Sequence, residues 1–466
     1  MEFRNAPLVP LAPFVLFLIF GILVGKWFYI GVPLLPVLMG GVLVALLARR
    51  SPMIQSISLT LCFAVLGMIV MQRHSSATSR TETVEAIVVC EPVEKPKTMA
   101  VELLIPDSHR QSRYYFWKDE CSKQLKIGDP IIVSLDSDQF VKSREWQSGG
   151  DAYHRLSGFD KLRIRALWYR HRLLERYRSL SVDDESAYSV LAAMTLGDKS
   201  ALSSEVKDIY SITGASHVLA LSGLHLGIIY MLLSILLAHR RRFWLSQVVI
   251  ILSIWAFAVM TGLSTSIVRS ATMISIYGLL SVAGRNKSSL NVLCFTAIVM
   301  LLFSPTLLFE VGFQLSFMAV LSILLFMPLL ERMVPSRYMI KYPLVRWLWS
   351  TIAVSLSAQI GVAPLIAYYF GRFSTYFLLT NLFVLPLATV ILYGALLFLI
   401  TSWSLLGSAL FAVVTLLNRG LSVVASLPLS SIDGLHPSVF QVCMMYTIII
   451  CIYIVWQRLL PPSRKY

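Results

Sequence analysis

Charged residues are scarce in this 466-residue chain: 14% Asp, Glu, Lys and Arg, against roughly 25% in soluble globular proteins. That scarcity, with 56% hydrophobic residues, excludes a water-soluble globular protein. A polar, small-residue cleavage stretch is missing after the first apolar run near 10–28, so a removable leader is not expected and the run reads as a retained span. Cysteine is also sparse where it would count. Of six, Cys62, Cys294, Cys443 and Cys451 lie in apolar runs as packing residues, which leaves Cys90 and Cys121 in the one long polar segment. Their pairing requires an oxidising compartment and stays open, because spacing alone does not bring two sulfurs together. Internal repeats and low-complexity tracts are absent.

What the chain does have is apolar runs near the length of a bilayer-crossing helix, about 17 to 25 residues. They fall near 10–28, 33–48, 53–71, 217–238, 243–262, 266–284, 289–304, 313–330, 347–370, 377–401, 404–426 and 438–456. The expected fold is therefore a polytopic α-helical membrane protein of about twelve spans. Five parts are expected: N-terminal helices in 1–71, an external domain in 72–150, a connector in 151–186, a helical core in 187–456, and a basic tail in 457–466. Arg240–Arg242, Arg285 with Lys287, Arg332 to Arg346, and Arg458 to Lys465 occupy alternate loops. Positive residues favour the cytoplasm. Both termini are thus expected on the cytoplasmic side, and residues 72–186 outside.

In the external segment, TVEAIVVC (83–90), TMAVELLI (98–105), RYYFWK (113–118) and PIIVSL (130–135) are rich in β-branched and aromatic residues and read as short strands. They suggest a small β-barrel. Nine Lys/Arg stand against eleven Asp/Glu over 72–141, a poor balance for holding DNA by charge. Tyr114, Tyr115, Phe116 and Trp117 offer stacking faces for bases, or else packing inside and along the sheet. Over 142–178 ten basic residues stand against four acidic ones. The stretch 159–178 reads as a basic amphipathic helix, expected in the lipid headgroups or guiding a strand toward the core.

HVLALSGLHLGIIY (217–230) places two histidines, a serine and two glycines where a span should begin. His217 and His225 stand eight residues apart, about 12 Å along a straight helix, too far to share a zinc ion. No metal or cofactor is expected. Ser222 and His225 share a helix face, so an intramembrane serine hydrolase is one reading, though no orienting Asp follows nearby. Close helix packing through Ser and Gly is a second. A water-lined path, where an interrupted helix exposes backbone and polar side chains, is a third. Gln314, Gln359 and Asn381 serve equally as interhelical glue or path lining. Arg269 is different, since a buried cation is costly unless paired or wet. Glu310 is a candidate partner.

These stretches together resemble the ComEC-type competence protein family. The match rests on GDKSALSSEVKDIYSITGASHVLALSGLHLG (197–227), TGLSTSIVRSATM (261–273), SPTLLFEVGFQLSFMAVL (304–321) and SAQIGVAPLIAYYFGRFSTYFLLTNLFVLP (357–386). SGLHxG and GFQLSF are its most specific elements. The resemblance implies an OB-like external domain and a channel that passes single-stranded DNA inward, not an enzyme. Asp198, His217, Ser222, Gly223, His225, Arg269 and Gln314 would be its characteristic residues, with Lys199 and Asn381 also on the path. Membrane lipids, a DNA receptor, a nuclease and a cytoplasmic motor would be partners. Longer family members carry a metallo-β-lactamase-like domain with an HxHxDH motif, which occurs nowhere here, so nuclease activity is not expected of this chain. A transporter of small solutes or lipid intermediates is the alternative that does not lean on the resemblance.

Overall fold

The computed structural model describes residues 9–28, 34–76, 82–90, 92–94, 97–106, 110–135, 140–141, 146–180, 184–237, 243–282 and 288–459. The basic residues Arg240–Arg242, Arg285, Lys287, Arg464 and Lys465, on which much of the expected orientation rests, lie outside the described residues, as does the N-terminus.

Three apolar helices come first: α1 (Ala12–Trp27), α2 (Leu34–Leu47) and α3 (Pro52–Ser76). Small residues let α1 and α3 touch backbone to backbone, so that a side chain on Gly21 would collide with the Ala64 carbonyl. Leu18 and Ile22 of α1 then join a buried cluster with Ile298, Leu301 and Phe313, which fixes the N-terminal helices to the core.

A curled sheet follows, built from β1 (Glu82–Val88), β2 (Val93–Glu94), β3 (Thr98–Ile105), β4 (Arg110–Trp117), β5 (Pro130–Leu135), β6 (Phe140–Val141) and β7 (Trp146–Ser148). A single turn of helix, α4 (Glu120–Lys123), precedes β5. The strand order is β6-β4-β3-β1-β5-β7 with β2 on β3. All pairings are antiparallel except β4 with β6. The sheet buries both faces, which explains why Ile87-Val88-Val89 and Leu103-Leu104 do not alternate with polar residues. Val88, Val101, Leu103, Ile131 and Val133 fill the concave side. Ile87, Val89 and Leu104 pack outward on Ala152 and Leu156, around the short α5 (Ala152–Arg155), and on α6 (Gly158–Arg178).

α6 is the joint of the molecule. Its Ile164 and Leu167 meet the sheet, whereas Leu174 and Tyr177 belong to the core's main cluster. Arg163 Nη2 donates to the Gly262 carbonyl (3.3 Å) and Arg176 Nη1 to that of Leu399 (3.0 Å). Part of the apolar side of α6 is therefore covered by protein, while Phe159, Leu162, Trp168 and Tyr169 remain exposed.

The core contains α7 (Glu185–Leu196), α8 (Ser204–Ile212), α9 (Ser216–Leu219), α10 (Gly223–Leu236), α11 (Phe243–Met260), α12 (Thr265–Val282), α13 (Ser289–Phe303), α14 (Val311–Glu331), α15 (Ser336–Lys341), α16 (Pro343–Phe370), α17 (Phe377–Thr401), α18 (Ser404–Ala425) and α19 (Val439–Leu459). Two three-residue strands, β8 (Arg372–Ser374) and β9 (Ser431–Asp433), pair across its loops. Among the described residues seven helices are long and apolar enough to cross a membrane: α3, α12, α14 and α16–α19. Five shorter apolar helices, α1, α2, α10, α11 and α13, occupy the remaining runs. The run 217–238 is not one span, because it breaks between α9 and α10. α7 lies in no apolar run, yet every residue from Ala187 to Leu196 is buried, packed against α17 and α18.

The structure does not join Cys90 to Cys121. Cys90 Sγ accepts the Glu102 backbone N–H (3.2 Å), and Cys121 is exposed on α4 with no disulfide.

Candidate functional site

The break in the core follows from local chemistry. α8 ends at Gly214, whose φ of +78° suits glycine. After the single turn of α9, Ala220 and Ser222 are extended, with ψ of 125° and 173°. Ser222 is the N-cap of α10. Its backbone N–H donates to His225 Nδ1 (3.3 Å), and its Oγ lies 3.1 Å from the same nitrogen. Non-helical backbone among apolar helices is tolerated where protein covers it or where it lines a water-filled cavity. Gly223 permits close packing here, since a Cβ would stand 2.7 Å from Ser270 Oγ on α12.

The two histidines differ. His217 Nδ1 donates to the Gly214 carbonyl (3.0 Å). Its side chain is exposed. His225 is 1% exposed. Because Nδ1 accepts from Ser222, the ring proton sits on Nε2, and that nitrogen is buried with no partner among the described residues. A triad needs its base oriented by a third group; His225 has none there, so the Ser222–His225 contact is accounted for by capping.

α11 ends in paired bonds from Gly262 N–H to the Val259 carbonyl and from Leu263 N–H to that of Ala258, the geometry of a Schellman cap. Gly262 (φ +89°) and Leu263 (φ +56°) are both left-handed, and α12 starts two residues later. Arg269, its fifth residue, is 3% exposed and donates through Nη2 to Ser266 Oγ (3.1 Å). Its Nε and Nη1 are buried with no partner among the described residues. The Phe317 ring of α14 lies 5.8 Å from the guanidinium carbon. Glu310, the N-cap of α14, makes no ion pair with Arg269 among the described residues.

Gln314 is spanned by two hydrogen bonds: Nε2 donates to the Leu308 carbonyl (2.9 Å) and Oε1 accepts from Tyr369 Oη (2.8 Å). Asn381 Nδ2 donates to Ser355 Oγ on α16 (3.2 Å), whereas Oδ1 is buried without a partner among the described residues. Asp198 closes the turn after α7 by accepting from Ser200 N–H and Oγ (3.1 and 3.0 Å), and Lys199 is exposed. The turn abuts the break, because Gly197 lies against Leu221 and the Thr261 carbonyl. The loops around Asp198, Ser222 and Thr261 thus meet, and α10, α12 and α14 bring their N-terminal turns together.

In the sheet, Phe116 is fully buried and stands edge-on to Trp146 at 5.5 Å. It is a core residue, the packing reading of the two left open for this position. Tyr114 and Tyr115 are half-buried, and only Trp117 presents an exposed ring. Sequence reasoning missed a cleft of about 630 Å³ between sheet and α6, lined by Lys126, Asp129, Trp168, His171 and Arg172. Arg172 stacks on Trp168 there at 3.7 Å. Only docking of α6 on the sheet creates it.

A family model described as Competence protein matches residues 194–459, more than half of the chain. The chain belongs to the Competence protein family. ComE operon protein 3 of Bacillus subtilis (strain 168) is 27% identical over 305 residues, covering 63% of this chain and 37% of that protein. An uncharacterized protein of Aquifex aeolicus (strain VF5) is 33% identical over 196 residues, 42% of this chain and 43% of its own. The uncharacterized protein YcaI of Escherichia coli (strain K12) is 25% identical over 214 residues, 44% and 28% respectively. The matched stretches span less than half of each relative. No solved structure matches the chain. The Competence match opens in the last turn of α7 and takes in every candidate site residue of the helical core, from Asp198 to Asn381; the sheet and α1–α3 precede it.

Proposed function

We propose that this Competence-family membrane protein passes single-stranded DNA across a bacterial plasma membrane during DNA uptake. On this reading its apolar helices make twelve spans with both termini cytoplasmic. The curled sheet is an external OB-like domain, and the exposed Phe159, Leu162 and Tyr169 of α6 meet lipid. Asp198, Lys199, His217, Ser222, Gly223, His225, Arg269, Gln314 and Asn381 border the path. The observation that carries the reading is the broken segment at 220–222, where an accessible His217 and a partnerless His225 Nε2 sit inside the family-matched core. The His225 Nε2–H suits a weak, exchangeable contact, which conduction needs so that a strand is not held. The test is uptake of labelled DNA by the native bacterium with and without this gene. Loss of internalised strand, restored by the gene in trans, is expected; undiminished uptake in the deletion refutes the proposal.

A further inference from the structure

Among the described residues the Arg269 guanidinium has no counter-charge. It has five N–H donors and spends one nitrogen on Ser266, while Nε and Nη1 are buried without partners among the described residues. No carboxylate lies within ion-pair distance of it among those residues, and the Phe317 ring answers only one side. An uncompensated buried cation costs several kcal/mol. Nothing in the described protein offsets that cost, so an anion from outside the chain is the natural occupant.

The surroundings favour the same ligand. Arg269 lies one turn below the start of α12, and a Cβ on Gly312, at the start of α14, would stand 3.9 Å from Thr265 Oγ1. The N-termini of α12 and α14 therefore lie side by side about one turn from Arg269, each with N–H groups and a dipole end that favour negative charge. Ser264, in the turn just above, is exposed. Leu263 holds a left-handed conformation that a β-carbon disfavours, and such strain persists where the surrounding structure fixes a turn for use.

We propose that Arg269, with Ser266, forms a phosphodiester-binding station at the head of α12 that holds one backbone phosphate of the passing strand at a time. The inference rests on the DNA-passage reading and adds the chemical group recognised and the residue that recognises it. A single cation seated between neutral partners neutralises one phosphate and lets it go, whereas a cluster of cations would hold the strand. A lipid headgroup phosphodiester offers the same chemistry, and the test separates the two.

The experiment uses the full chain in nanodiscs of uncharged phosphatidylcholine and a fluorescent twelve-nucleotide oligothymidylate, with anisotropy read from 50 to 200 mM salt. Arg269→Gln is expected to bind about tenfold more weakly, with a log–log salt slope shallower by about 0.7, the value of one lost phosphate contact on a single strand. Arg269→Lys should keep the slope, which separates loss of charge from loss of fold. With uncharged methylphosphonate linkages, wild type and Arg269→Gln should bind alike. Unchanged affinity and slope in Arg269→Gln overturn the station while leaving DNA passage standing, provided wild type binds. No binding by wild type removes the passage reading, and the station with it. If wild type extracted from cells carries an anionic lipid that Arg269→Gln lacks, and the two bind oligonucleotide equally, the occupant is a headgroup and the inference fails.

Discussion

Gly197→Ala perturbs the point where the turn after α7 meets the broken segment, and two separable costs are legible there. Gly197 has φ +76°, and an L-residue in the left-handed region costs roughly 1–2 kcal/mol. A Cβ would also stand 2.7 Å from Leu221 Cδ1. Leu221 is 5% exposed and enclosed by Leu226, Ile254 and Ala258, so it has little room to yield; overpacking of that kind costs about 1–3 kcal/mol. The two effects together predict a loss of about 2–5 kcal/mol. Thermal unfolding of the detergent-solubilised protein measures it as a drop of several degrees. Asparagine tolerates the left-handed region, so Gly197→Asn should show mainly the clash. In a double-mutant cycle, Leu221→Ala should recover part of the Gly197→Ala loss, with a favourable coupling of about 1–3 kcal/mol. If Gly197→Ala falls within about 0.5 kcal/mol of wild type, or if Leu221→Ala changes nothing, then the turn does not bear on the break.

Three further outcomes are expected. Phe116→Ala should destabilise the sheet by about 3–5 kcal/mol, whereas Trp117→Ala, exposed on the next residue, should leave urea unfolding nearly unchanged; equal effects would show that the strand's faces are misassigned. Burial pushes the Asp184 carboxyl up, but hydrogen bonds from the Ala187 and Ser186 N–H groups and the Ser186 and Thr415 hydroxyls outweigh it and hold it below the usual carboxylate range. Its contribution to stability is therefore complete above the unfolded value of about 3.9 and lost as pH falls through the folded one, so wild type should lose more thermal stability than Asp184→Asn between about pH 6 and pH 3. Finally, with Cys121 exposed and not bonded to Cys90, a maleimide should label it in the folded protein without prior reduction, and dithiothreitol should leave the melting temperature unchanged.

Most helices were legible because an apolar run of sufficient length has few alternatives to helix. α7 was not. Its EsaYSVLAAMTL pattern of small and polar residues is too short and mixed for a span, and its burial comes from α17 and α18, contacts remote in sequence. The fate of RYYFWK shows another limit: alternation places Phe116 and Trp117 on opposite faces, but only pairing of β4 with β3, Phe116 against Met99, determines which face closes inward. β8 and β9 are joined by pairing across 56 residues of intervening chain, between Ser374 and Ser431, and three-residue strands leave no periodicity to read. For Arg269 and His225 the residue types raised the question, and the partnerless nitrogens emerged only with the neighbouring helices in place. Cys90 and Cys121 illustrate the converse, since two lone thiols in a polar segment did not imply a bond.

α6 shares its buried side between two hosts, sheet at Ile164 and Leu167 and core at Leu174 and Tyr177. Excising residues 82–150 would strip the first pair of its cover and leave a greasy ridge above the α11–α12 turn, inviting aggregation. The sheet is thus no pendant on a tether but a rafter nailed along the roof. Anything bound to the sheet would stand at a fixed bearing to the turn that begins α12.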